Sequence, residues 1–335
     1  MAVVLSQLFA SAASFDTDSH LKTLRDLVDN PLVDPSWHTA STPQALTVAA
    51  SQGNLEGLRI LLPRCDASLK WEPPGDHRIP KSAENRWGSD SKGITALMAA
   101  AKKGHADCVA ALLPASDANA RDQDGATALM RAAKKGHLEC VKLLLPASNP
   151  DQVLLNSDDE PSDTDGDTAL ILAARHGHAA CAQALAAVSD VGHENALGRN
   201  ALEAAVLNDN LECAQALVAP TLETGVAGRD GFLSSNWWEE VDASCARTLD
   251  WVVSWIGDTQ DAETIESVKG KITRRSGMGL RFPLRLPQWE AHLERAEILN
   301  VMSQAANAIA DNRPGEAVGG AFPDTVPHRR KARSL

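Results

Sequence analysis

No stretch of this chain approaches the roughly 18 consecutive apolar residues that would cross a bilayer, so no membrane span is expected. Lys and Arg are missing before Lys22. The opening MAVVLSQLFASAASF is apolar and rich in small residues, but a secretory leader carries a basic head before its apolar core. It reads instead as a helix over 2–12. The usual signatures of catalysis are missing as well: G-x-S-x-G, H-E-x-x-H, G-x-x-x-x-G-K-[ST] and G-x-G-x-x-G do not occur. Gly277 and Gly279 form a lone G-x-G with no strand before it. No enzyme and no cofactor is expected. Cysteine is sparse, with 6 in 335 residues, which does not make a disulfide framework.

What the chain has is one phrase written several times. Residues 93–114 read GITALMAAAKKGHADCVAALLP, and 125–146 read GATALMRAAKKGHLECVKLLLP. Residues 166–188 read GDTALILAARHGHAACAQALAAV, and 198–218 read GRNALEAAVLNDNLECAQALV. An earlier copy, QALTVAASQGNLEGLRILLP, occupies 44–63. Cys108, Cys140, Cys181 and Cys213 are separated by 32, 41 and 32 residues, and a further step of 32 lands on Cys245. A degenerate sixth unit is therefore expected to run to about Ile256. The irregular steps are insertions, one of 19 residues between Asp66 and Lys92 and one of nine around Asp151–Glu160. A period of this size means a stacked array, and such arrays are mostly binding surfaces.

Each unit follows from local physics. Asp122–Gly125 supplies a turn with a residue tolerant of positive φ. Thr127 starts a short helix whose Leu129, Ala132 and Ala133 fall on one face. Gly136 ends it, as a left-handed cap requires. Cys140, Val141, Leu144 and Leu145 form the apolar stripe of a second helix, which Pro146 stops. No unit can bury this much apolar surface alone, so neighbours must stack and the ends need covers.

The phrase resembles the ankyrin repeat, whose usual form is a D-x-x-G turn, then T-P-L-H-x-A-A-x-x-G-H, then a second helix. Asp122–Gly125, Thr127, Ala132, Ala133, Gly136 and His137 carry the likeness, which extends over roughly two-thirds of the chain by the period count. The family's Pro and His are replaced by Ala96 and Met98, and again by Ala128 and Met130. Each unit thereby loses a pre-organised first residue and a polar lock, so looser units than the family norm are expected. The resemblance implies an all-α solenoid. The expected organisation is an N-terminal helical cap at 1–40 with a second helix at 19–29 and a repeat array at 41–256. A helical segment at 257–310, with helices at 261–272 and 287–310, and a disordered tail at 311–335 follow.

Other constellations have plainer readings. His-x-x-Cys recurs at His105/Cys108, His137/Cys140 and His178/Cys181, but zinc needs four converging ligands. The repeat explains both residues, His at a helix start and Cys in the core, so no metal is expected. The acidic insertion with Asp163–Gly166 fails as a calcium loop, because Pro161 and Leu172 would stand where oxygen ligands are required. Residues 267–289 carry Lys269, Lys271, Arg274, Arg275, Arg281 and Arg285 and no acid. With a chain net charge of −12 and no interleaved aromatics, nucleic acid is not the expected partner.

The function expected from the resemblance is non-enzymatic recognition of a protein partner by a cytoplasmic, monomeric scaffold. The alternative is a regulatory or effector protein whose C-terminal segment acts while the array selects the target. By the resemblance, contacts map to the varying positions around each turn and at each first-helix end. These are Ser91, Lys92, Ile94, Lys102 and Lys103 in one unit and Arg121, Gln123, Asp124, Ala126, Lys134 and Lys135 in the next. Thr164, Asp165, Asp167, Arg175 and His176 follow in the unit after that. Trp71 and Trp87, in the long insertion, suit an interface anchor. The first-helix ends read Lys-Lys, Lys-Lys, Arg-His, so stacking should align them into a basic stripe that steers an acidic partner.

Overall fold

A computed structural model describes residues 8, 10–14, 16–31, 45–70, 93–155, 164–223 and 246–259. Twelve named helices carry the argument. Helix α1 spans Asp18–Asp29, followed by pairs α2 (Ala45–Gln52) and α3 (Leu55–Leu61), then α4 (Ala96–Lys103) and α5 (Ala106–Leu112). The next pairs are α6 (Ala128–Lys135) with α7 (Leu138–Leu144), and α8 (Ala169–Arg175) with α9 (Ala179–Ala186). Helices α10 (Ala201–Leu207), α11 (Leu211–Glu223) and α12 (Ala246–Thr259) complete the series. No β-strand occurs among the described residues.

The first helices α2, α4, α6, α8 and α10 pack one on the next, and the second helices α3, α5, α7, α9 and α11 form a parallel row behind them. Helix α1 lies against α3 with Leu21, Leu24 and Val28 buried, and α12 packs on α11. The long insertion with Trp71 and Trp87, residues 156–163, and the start of the expected sixth unit as far as Cys245 lie outside the described residues. So do the start of the expected helix at 2–12, the helices at 261–272 and 287–310, the basic stretch at 267–289 and the tail. Among the described residues no helix is long and apolar enough to cross a membrane.

The core is continuous through all units. Cys108, Cys140, Cys181 and Cys213 occupy one repeated position, each buried among Val or Ala and Leu of the second-helix row. Burial pushes the thiols of Cys108, Cys140 and Cys213 up to about 11, so they behave as small apolar residues. The first helices are covered far beyond a stripe: every residue from Ala128 to Ala133 is buried, and only the last turn opens to solvent. Alanines make this possible, since neighbouring backbones approach closely on both sides.

Two local rules differ from their simplest form. After α5 and α7 the chain tightens into 3-10 turns at Leu113–Ala115 and Leu145–Ala147, with Pro114 and Pro146 as their second residues. In α11, by contrast, Pro220 lies inside the helix, which runs on to Glu223. The ladder around the nine-residue insertion narrows the expected 151–160 to residues after Leu154. Leu154 N–H donates to Asp167 O at 2.8 Å, as Asp122 N–H donates to Ala126 O at 3.0 Å one unit earlier. Leu154 therefore stands where Asp122 does, so in sequence the extra residues lie between Leu154 and Thr164.

Candidate functional site

The turn of the third unit is built from its own carboxylate. Asp122 Oδ1 accepts from Ala126 N–H at 2.8 Å, and Gly125 N–H donates to Asp122 O at 3.1 Å. Gly125 has φ of 73°, and a Cβ there would stand 2.2 Å from Leu155 O, so glycine is required twice over. Arg121 Nη1 donates to Gly125 O and to Val153 O, joining this turn to the next unit.

Arg131 closes the unit from the helix side. Its Nε and Nη2 donate to Asp122 Oδ2 at 2.8 and 2.6 Å, and Nη2 also reaches Asp124 Oδ2 at 2.5 Å. Arg131 is 4% exposed. Burial pushes the Asp122 carboxyl upward against the pull of Arg131, while the two carboxylates hold the guanidinium charged. The next unit uses other residues for the same task. Asp167 accepts from Arg175 Nη2 at 3.2 Å and from Asn195 Nδ2 at 2.8 Å. The fifth unit closes a capping box between Asn200 and Glu203. The polar lock absent from the tetrapeptide is thus replaced by unit-specific ones.

A second ladder runs between units. His105, His137 and His178 Nε2 each lie 3.1 Å from a carbonyl at or near the end of the preceding first helix, those of Ser51, Lys102 and Lys134. Asn210 does the same for Arg175 O at 2.9 Å. The ring of His178 also lies beneath Gly136, where a Cβ would meet it at 2.4 Å. The His of each His-x-x-Cys pair therefore points to the previous unit and the Cys into the core. Among the described residues no three His, Cys, Asp or Glu side chains converge as a metal site needs. At the end of α10, Asp209 takes the glycine's place with φ of 53°. Its carboxylate accepts from the N–H and hydroxyl of Thr248 at 3.0 and 2.8 Å, fastening α12.

This ladder fixes the first-helix ends in register. Lys103, Lys135 and His176 are exposed there, with Lys102 and Lys134 half-buried beside them. His176 reports on the neighbourhood: its imidazole is pushed below the ordinary histidine value by loss of solvent, then by Lys134, His178, Arg175 and Lys135. The ends of α6 and α8 thus share one positive field. We expect Lys134→Gln to raise the midpoint of the His176 ring-proton titration measured by NMR, and an unmoved midpoint would show that the two ends do not communicate. Because folding lowers this pKa, its contribution to stability is complete above the unfolded value and shrinks as pH falls through the folded one.

The remaining expected contact residues divide sharply. Gln123 is exposed, and Asp124, Thr164 and Asp165 are half-exposed at the turn tips. Ile94, Ala126 and Asp167 are buried at 4%, 4% and 0% exposure, so they support the turns and offer no contact surface. Arg121 and Arg175 are engaged in the inter-unit tie and the Asp167 pair rather than projecting. Trp71 and Trp87 lie outside the described residues. Arg131 was not singled out by sequence, although one signal marks it: at its repeat position the other four units have Val48, Ala99, Leu172 and Ala204. Between the third and fourth units, Asp124 and Lys134 flank a small cleft of about 110 Å³ floored by Met130, Leu154 and Leu172.

No curated protein matches this chain. A family model described as ankyrin repeats (3 copies) matches residues 46–154 and 152–226, more than half of the chain. Helix pairs stacked in two rows, turns projecting from one edge and a family match across the same residues agree: this chain belongs to the ankyrin repeat family.

Proposed function

We propose that this protein is a non-enzymatic scaffold that binds an acidic protein partner through its turn tips and first-helix ends. Ankyrin repeats are a protein-binding module, and the finer reading rests on one observation. In a chain of net charge −12, Lys103, Lys135 and His176 stand exposed at equivalent positions of successive units. The histidine ladder holds them side by side; Lys103 and Lys135 carry the positive charge, while His176, held below the ordinary histidine value, is mostly neutral at pH 7, and charges of one sign attract the other. The turns are held within their units and to their neighbours, as Arg121 with Val153 and Asp167 with Asn195 show, so the tips are presented in fixed positions. Cys108, Cys140, Cys181 and Cys213, buried without a disulfide, suit a reducing compartment such as the cytosol.

The test is charge reversal of Lys103 and Lys135 together, both on solvent-facing last turns. In affinity capture from the source cell, the double Glu variant should lose the partners that wild type releases as salt rises. The same captured set with the same salt dependence would make the stripe purely structural.

A further inference from the structure

One position ahead of Gly53, Gly104, Gly136, Gly177 and Asp209 stand Gln52, Lys103, Lys135, His176 and Asn208, all exposed. In charge this row reads neutral, positive, positive, titratable, neutral. Lys103 and Lys135 are permanent cations, whereas an imidazole changes charge between about pH 5 and 8. His176 stands over the joint between the third and fourth units. Its ring lies 6.5 Å from that of His178, with 28° between the planes. His178 Nε2 is 3.1 Å from Lys134 O. A carbonyl only accepts, so that nitrogen carries a hydrogen and is spent on the ladder. The Nδ1 of the same ring faces Gly136. His178 is thus a strut between units, and His176 is the ring at the surface.

Each neighbouring element brings its own groups to His176. The end of α6 brings Lys134 and Lys135, and its own unit brings His178 and Arg175, the latter engaged with Asp167. The first turn of α9 adds Ala179 and Ala180, without charge. The end of α10 adds the uncharged Asn208 and Asp209, whose carboxylate is bound to Thr248 and Arg247. Loss of solvent and the nearby cations keep the imidazole mostly neutral at neutral pH. A ligand carboxylate laid across Lys135 and His176 reverses that balance, because it offsets the lysine and gives an imidazolium its counterion. We propose that His176 is a proton-gated rung of the binding face: an acidic partner segment lying along the last turns of α4, α6 and α8 draws a proton onto it and is held more tightly as pH falls below neutral. The proposal rests on the acidic-partner reading above and adds its regulation. The sign follows from linkage. Binding raises the imidazole pKa, so a proton is taken up. Affinity then grows as pH falls through the bound-state value and levels off below the free one.

The probe is octa-aspartate labelled with tetramethylrhodamine, whose carboxylates stay ionised between about pH 6 and 8. Fluorescence anisotropy with the full chain at constant ionic strength should show Kd falling about threefold from about pH 8 to about pH 6. That is the gain expected where binding raises the proton affinity of the imidazole about tenfold. His176→Gln should lose the gain, and His176→Lys should bind at about pH 8 at least as tightly as the wild type does at about pH 6. In ring-proton NMR of the wild type, saturating probe should raise the titration midpoint of His176, a measurement that needs no variant. Salt-dependent binding that is equal at both pH values, a gain that survives His176→Gln, or an unmoved His176 midpoint overturns the gate and leaves the basic stripe standing. If the probe binds at neither pH, the acidic-partner reading falls and the gate with it.

Discussion

Cys140→Asp disrupts the middle of the array, while Lys135→Ala five residues away leaves it intact. Cys140 is 1% exposed and packed beside the equivalent Cys108 and Cys181 of the adjoining units. Its surroundings already hold a thiol up to about 11, chiefly by burial and then through Glu139. A carboxylate in that position loses its water and finds no cation, which costs several kcal/mol on the scale for buried unpaired charge. In a stacked array the loss spreads to both interfaces of the unit, because each unit's stability includes its neighbours. Lys135 is exposed at the end of α6. Its truncation should change stability by less than about 0.5 kcal/mol. Urea denaturation followed by circular dichroism separates the two outcomes. Equal midpoints would mean that the faces of the third unit are assigned wrongly.

The period, the turn glycines and the cysteine position were legible because each is set within one unit and repeated. A residue that recurs once per unit with the same neighbours has one environment, and Cys108, Cys140, Cys181 and Cys213 show it. Side chains acting across units were harder to read. His137 looks like a helix start, which it is, but its ring serves Lys102 O, 35 residues earlier. Its acceptor cannot be found from local sequence. Variation between units was the weakest guide. Ile94, Ala126 and Asp167 differ at one repeat position and are all buried, because each is paired to a different solution beneath its turn. Variation there records alternative packing, while at Lys103, Lys135 and His176 it accompanies exposure.

The largest single dependence on one side chain falls on Arg131. Replacing it by Met keeps the length and removes the guanidinium, leaving Asp122 buried with Ala126 N–H as its remaining partner on Oδ1. Breaking a buried pair from one side costs about 3–5 kcal/mol. The cost depends on pH in a definite direction. Burial already raises the Asp122 carboxyl, and Arg131 is what pulls it down. Without the arginine the folded pKa lies further above the unfolded value. The variant then has its full share of stability below the unfolded pKa and loses it as pH rises through the folded one. Arg131→Met should therefore lie closest to wild type near about pH 4 and furthest from it at neutral pH. The fourth unit supplies the rescue, since Leu154 and Leu172 fill the same two positions without charge. Asp122→Leu combined with Arg131→Leu should recover most of the neutral-pH loss, because two buried ions are replaced by apolar contact. Asp124, whose side chain is 47% exposed, returns to water at little expense. Thermal melts of the single and double variants across this pH range test the argument. A double variant no more stable than Arg131→Met at neutral pH would show that the ion pair contributes a contact that apolar packing cannot replace.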